Sequence, residues 1–111
     1  MDQLDLYRQQ IQTILEQHRQ LDPKFEGVET YTVFDTKKDH YQVMSVGWQD
    51  GDRIYGCLIH VDIKDGKIWI QYDGTEYSIA NELMDLGVPA QSIVVAYHAP
   101  YARKYTEFAI N

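Results

Sequence analysis

The stretch "VDIKD" is the first place in this chain where chemistry could sit. Asp62 and Lys64 are two residues apart, so on a strand they share a face. Asp52 lies upstream. Two acids and a lysine in this order are the parts with which metal-dependent nucleases of the restriction type hold magnesium and a water. The match is cheap in an acidic chain, and Lys64 stands beside Asp65-Gly66, a turn corner where an exposed lysine is ordinary. A supporting helix and a basic substrate channel are missing, so the motif lacks the context that makes it a site. The histidines are His18, His40, His60 and His98, with no His-x-His and a single cysteine, Cys57. Structural zinc takes about four ligands, usually at tight spacing, so no metal is expected. No G-x-S-x-G, Walker sequence or G-x-G-x-x-G occurs. No catalytic residue and no cofactor is therefore assigned.

Trp69, in "KDGKIWIQYDGTE", poses a different question. A strand starting after Asp65-Gly66 points Ile68, Ile70 and Tyr72 one way and Trp69 the other. Asp-Gly between strand patterns predicts a type I′ hairpin, which fixes the register. Ile63 then faces Ile68, Val61 faces Ile70 and Ile59 faces Tyr72. A similar turn at Asp50-Gly51 pairs Val46 with Tyr55 and Met44 with Cys57, and these join the same apolar face. Cys57 falls there as an inert core thiol. The opposite face carries Trp69 opposite Asp62, His60 opposite Gln71, and Tyr41 opposite His60. His40 falls on the apolar face, so His40 and His60 cannot share an ion. Trp69, Tyr41, His60, Asp62 and Gln71 form the candidate partner-binding face, because Trp and Tyr are enriched at interface hot spots. The alternative is that the C-terminal tail covers this face. A homo-oligomer is the economical form of the interface.

The elements that position these residues are legible in the periodicity. Residues 3 to 21 predict an amphipathic helix striped by Leu4, Tyr7, Ile11, Ile14, Leu15, His18 and Leu21. Asp2 is its expected N-cap and Pro23 its stop. Strands are expected at Val28 to Asp35, His40 to Trp48, Arg53 to Lys64 and Lys67 to Tyr72. A second helix follows at about Glu76 to Leu86, capped by Asp73 or Thr75, with Ile79, Leu83 and Leu86 as its apolar stripe. Gly87 and Pro89 end it. A fifth strand is expected at Ser92 to His98, and a short helix at Tyr101 to Lys104. The order predicts one α+β domain over residues 1–111: an N-terminal helix, a mainly antiparallel sheet of about five strands, and a second helix before the last strand.

Composition sets the outer bounds. The chain has 111 residues, 44% of them apolar, enough for one core. One cysteine allows no internal disulfide, which suits a reducing compartment. The start, "MDQLDLYRQQ", has neither the basic nor the apolar region of a secretory signal. No apolar run reaches the roughly 20 residues of a membrane span. A cytoplasmic protein is expected. Seventeen acidic against ten basic residues give a formal charge of −7. Nucleic-acid affinity comes largely from Lys and Arg contacts to phosphate, so autonomous DNA binding is not expected.

"DHYQVMSVGW", the series Arg53, Gly56 and His60, "DIKDGKIWIQYDGTE", "ANELMDLGVP", "SIVVAYHAPYAR" and the closing "YTEFA" together resemble the XisI family over nearly the whole chain. XisI proteins are controlling factors for excision of the fdxN element in heterocyst-forming cyanobacteria. They act beside a site-specific recombinase and a companion, XisH, that looks nuclease-like. The resemblance implies an accessory factor in a DNA rearrangement, working through an XisH-like partner. Because the chain is acidic, restraint of that partner, as by an antitoxin or immunity protein, is the alternative role. No catalytic residues, cofactor or small-molecule substrate are implied.

Overall fold

A computed structural model of the protein describes residues 2–111. Helix α1 runs Gln3–Leu21. The Asp2 carboxylate accepts the backbone N–H groups of Leu4 and Asp5, which would otherwise lack a partner in the first turn. Four antiparallel strands follow: β1 (Val28–Asp35), β2 (His40–Gln49), β3 (Asp52–Lys64) and β4 (Lys67–Asp73). Helix α2 (Ile79–Asp85) then returns the chain to β5 (Ile93–Val95), which lies parallel to β4. The sheet order is β1-β2-β3-β4-β5. This is the α+β arrangement expected from the sequence. Among the described residues, no helix is long and apolar enough to cross a membrane.

Both Asp-Gly turns adopt the conformation their sequence requires. Asp50 and Gly51 have φ of 51° and 83°, and Asp65 and Gly66 have 53° and 76°. Lys64 therefore pairs with Lys67, and Gln49 with Asp52. Gly47 meets a second constraint. A Cβ there would stand 1.9 Å from the Gly27 carbonyl oxygen, so only glycine lets the chain cross β2 at that point.

One side of the sheet is the core. Tyr41, Val43, Ile59, Val61, Ile68, Ile70 and Ile93 are all 1% exposed or less. Tyr7, Ile11, Ile14 and Leu15 of α1 cover them, with Ile79 and Leu83 of α2. His18 of α1 is buried too, and its Nε2 lies 2.6 Å from Glu82 Oε2 of α2. The ends of both helical stripes miss the core, since Leu21 and Leu86 are largely exposed.

Two β-bulges correct the register expected from the turns. Met44 pairs with Cys57, but Val43 pairs with Ile59, so Leu58 is an extra residue in β3. A slip of one residue turns every later side chain to the other face. Tyr41 therefore pairs with Val61, not His60, and enters the core instead of the Trp69 face. His40 leaves the core face and pairs with Asp62. Before the bulge the inversion runs the other way. Tyr55 is 70% exposed, and Cys57 is half-buried on the face away from α1. The second bulge lies at Gln71: Val61 pairs with Ile70, while His60 pairs with Tyr72. Tyr72 thus leaves the core and is half-exposed.

Two further expectations shift. Helix α2 starts at Ile79 with Ser78 as N-cap, three residues after Glu76. Thr75 is occupied with the preceding loop, while Asp73 links loop and helix, accepting from the Thr75 N–H and from the N–H of Ile79, the first residue of α2. Strand β5 is short because the chain turns at Ala96–Tyr97 into a 3₁₀ helix at Pro100–Tyr105.

Candidate functional site

The bulge at Leu58 assembles a polar cluster on the face of the sheet away from both helices. His60 and Asp62 are two apart on β3, and His40 stands across from Asp62 on β2. Asp62 Oδ1 lies 2.8 Å from His40 Nδ1 and 2.9 Å from His60 Nε2. Asp62 Oδ2 accepts from Gln71 Nε2 at 3.2 Å. Gln71 shares this face with Trp69 by simple alternation, and the bulge at Gln71 adds Tyr72 to the same side as His60. Asp62 is mostly buried by these neighbours, at 14% side-chain exposure, while His40 is 55% exposed. His60, Asp62 and Gln71 thus come together as the sequence suggested. Tyr41 does not join them. His40 does, and alternation alone could not reveal it.

Trp69 faces this side as expected, opposite Asp62. Its indole N–H donates to the Lys64 carbonyl. Lys64 Nζ sits 4.6 Å from the ring centroid and the Arg103 guanidinium 5.7 Å from it. Arg103 also donates to the carbonyls of Ala96, His98 and Ile110. That side chain pins the tail across the β4–β5 end of the face. The tail then runs along the edge of β5, where Ala109 N–H donates to Ile93 O. The indole is therefore half-buried, covered by two cations and the tail.

The rest of this face is open. Trp48, Tyr55 and Tyr72 are 59%, 70% and 50% exposed. Tyr31 and Val33 of β1 extend the same side. Sequence alternation assigned Tyr55 and Tyr72 to the core. Trp48 carried a usable signal, as a large aromatic immediately before the Asp50-Gly51 turn. It stacks under Arg53, whose guanidinium carbon is 5.5 Å from the ring.

The nuclease arrangement does not assemble. Asp52 and Asp62 occupy opposite ends of β3, about 30 Å apart at the usual rise per residue. Burial pushes the Cys57 thiol up, and its Sγ is 3.1 Å from the Ile59 carbonyl oxygen. Such a thiol is a poor nucleophile. A groove lies elsewhere, between the end of α1 and the loop Gly74–Tyr77. His18 lines it, but Glu82 already engages that imidazole. Near the site the other strong charge pair is Arg8 with Asp39. Two hydrogen bonds from the guanidinium hold the Asp39 carboxyl below its usual range. Asp39 also accepts from the Tyr41 hydroxyl, and burial together with that carboxylate pushes the phenol up.

Comparison with known proteins places this geometry. Among curated proteins none matches the chain. A XisI-like protein from Anabaena variabilis, known from its crystal structure, is 42% identical and superposes with a TM-score of 0.94. The match covers 98% of this chain and 100% of that one. The fdxN element excision controlling factor XisI from Anabaena variabilis is 32% identical, with a TM-score of 0.89, over 99% of this chain and 100% of its own. The family model described as XisI protein matches residues 1–110, and the chain belongs to the XisI family.

Proposed function

We propose that this protein is an accessory controlling factor for excision of a DNA element, acting through protein–protein contacts and not by catalysis or autonomous DNA binding. The observation that carries the proposal is the open sheet face that exposes three aromatics, Trp48, Tyr55 and Tyr72, on a chain of net charge −7. Exposed Trp and Tyr side chains on one face are a common mark of a protein interface. The negative charge repels nucleic acid at long range and suits a partner that carries the basic DNA-binding surface. That partner is an XisH-like companion. His60, Asp62 and Gln71 lie at the centre of the contact face. Trp69 supports it from beneath the Lys64 and Arg103 side chains. Buried Tyr41 shapes it only through the core. The same charge also suits an inhibitor of a nuclease-like partner, and the two roles separate by whether the assembled complex keeps or loses partner activity.

Mobility-shift assays test the proposal. At moderate salt the protein alone gives no shift on DNA carrying the element's ends. Addition of the XisH-like partner produces a complex containing both proteins. Tyr55→Ser and Trp48→Ala, both at exposed positions, weaken partner capture at least tenfold without lowering stability. Tight DNA binding by the isolated protein would overturn the proposal, as would partner capture that ignores both substitutions.

A further inference from the structure

The cluster on the open face has the make-up of a metal site. His40 Nδ1, His60 Nε2 and an Asp62 oxygen lie within 4.8 Å of one another. We propose that these three residues bind one divalent first-row transition ion, of the zinc or cobalt kind, with a remaining coordination position open to solvent. Two imidazoles and one carboxylate form a donor set that such ions prefer, whereas magnesium favours an all-oxygen shell.

The geometry supports this in three ways. First, the donors are already convergent. Metal–ligand bonds of about 2.0–2.2 Å in a tetrahedral arrangement set neighbouring donors roughly 3.3–3.5 Å apart. The two contacts to Asp62, 2.8 and 2.9 Å, need to open by about half an ångström, and the two imidazole nitrogens lie within 4.8 Å of each other. Asp62 Oδ1 is in hydrogen-bond contact with both imidazoles, so the two ring nitrogens converge on one carboxylate oxygen. Second, the carboxylate is held from behind. Gln71 Nε2 donates to Oδ2, which leaves Oδ1 aimed between the histidines. Third, the backbone is arranged for it. His40 and Asp62 are cross-strand partners and His60 is two residues from Asp62. His40 joins the face of His60 and Asp62 only because β3 carries the extra Leu58. Bulges recur beside functional sites because they re-aim side chains. Access is open: the His40 and His60 side chains are 55% and 30% exposed. The earlier expectation that these histidines could not share an ion rested on the register that this bulge cancels.

The proposal is independent of any partner, and its test needs only the purified full chain. The protein is stripped with chelator, dialysed, and titrated with Zn²⁺ by calorimetry and with Co²⁺ by visible absorption. One ion per chain is expected, with the absorption bands of an imidazole-ligated cobalt centre. His40→Ala and His60→Ala each weaken binding at least tenfold. His40 is mostly exposed, so its variant keeps the fold, which circular dichroism verifies. His98→Ala, at an exposed histidine outside the cluster, leaves binding unchanged, and a thousandfold excess of Mg²⁺ does not displace the ion. Failure to bind Zn²⁺ or Co²⁺ would overturn the proposal. So would binding that survives both cluster substitutions, binding lost with His98, or displacement by Mg²⁺.

Discussion

Replacement of Tyr41 and of Tyr55, each by alanine, tests the bulge that organises both faces of the sheet. Uninterrupted alternation from the Asp50-Gly51 turn puts Tyr55 in the core and Tyr41 outside it. The observed register reverses the two, with Tyr41 at 0% exposure and Tyr55 at 70%. Truncating a fully buried aromatic costs about 3–5 kcal/mol, through lost burial and the cavity left behind. Removal of the Tyr41 hydroxyl also takes one donor from the half-buried Asp39 carboxylate, so the upper half of that range is expected. Tyr55→Ala is a surface change, within about 0.5 kcal/mol of wild type. Natural domains have only about 5–15 kcal/mol of stability in total, so Tyr41→Ala leaves the fold marginal. Urea denaturation followed by circular dichroism reads both variants. Tyr41→Phe separates the two contributions, because it keeps the ring and loses only the hydroxyl, at about 1–2 kcal/mol. Equal losses at positions 41 and 55, or a larger one at 55, would refute the bulge and with it the grouping of His40, His60 and Asp62.

Two further predictions concern the edges of that face. Trp69→Ala and Arg103→Ala each destabilise, and a double-mutant cycle in urea gives a coupling of about 0.5–1 kcal/mol from the guanidinium over the indole; zero coupling would show that Arg103 does not hold the tail to Trp69. Asp39 predicts a pH dependence. Its folded carboxyl is held below the usual value, first by hydrogen bonds from Arg8. Its contribution is therefore fully present above about pH 4, the ordinary aspartate value, and lost as pH falls through the folded one. Asp39→Asn keeps a residue that tolerates the positive φ of 61° at this position. It is expected to be less stable than wild type at pH 7 by about 1–3 kcal/mol, with the gap closing as pH falls toward 2. Urea midpoints at both pH values measure it, and a gap that does not change with pH would remove Asp39 as its source.

The elements were legible because each carries a local signal. Periodic apolar residues, Asp2 and Pro23 marked α1, and two Asp-Gly pairs marked the hairpins around β3. The bulges were not legible, for a physical reason. Leu58 and Ile59 both suit an apolar surface, so nothing in "CLIHV" says that two successive side chains face the core. Gln71 and Tyr72 are equally silent, since a tyrosine suits either face. The candidate site divided along the same line. His60, Asp62, Gln71 and Trp69 lie between the second turn and the Leu58 bulge, where alternation holds, apart from the single step at Gln71. His40 and Tyr41 lie on the strand beyond that bulge, and both were assigned to the wrong side. Asp73 and Thr75 misled differently. Each is a competent cap, but Thr75 closes the loop and Asp73 reaches only the Ile79 N–H of α2, while Ser78 takes the N-cap position.

The tail along β5 has a consequence for how copies of this protein can meet. A β-sheet grows wherever a strand edge offers free backbone donors and acceptors. Here Ala109 already takes the Ile93 carbonyl on the β5 side, whereas β1 has a single neighbour, β2. The sheet is thus polar as a building unit, with one blocked rim and one available rim. Two copies joined through β1 in antiparallel fashion use up both available rims and present only blocked ones. Such joining closes at a symmetric pair and cannot propagate into a fibre. In a chain with β-branched and aromatic residues along "VETYTVFD", the sixteen residues after Val95 would act as a terminator of assembly as well as a cover for Trp69.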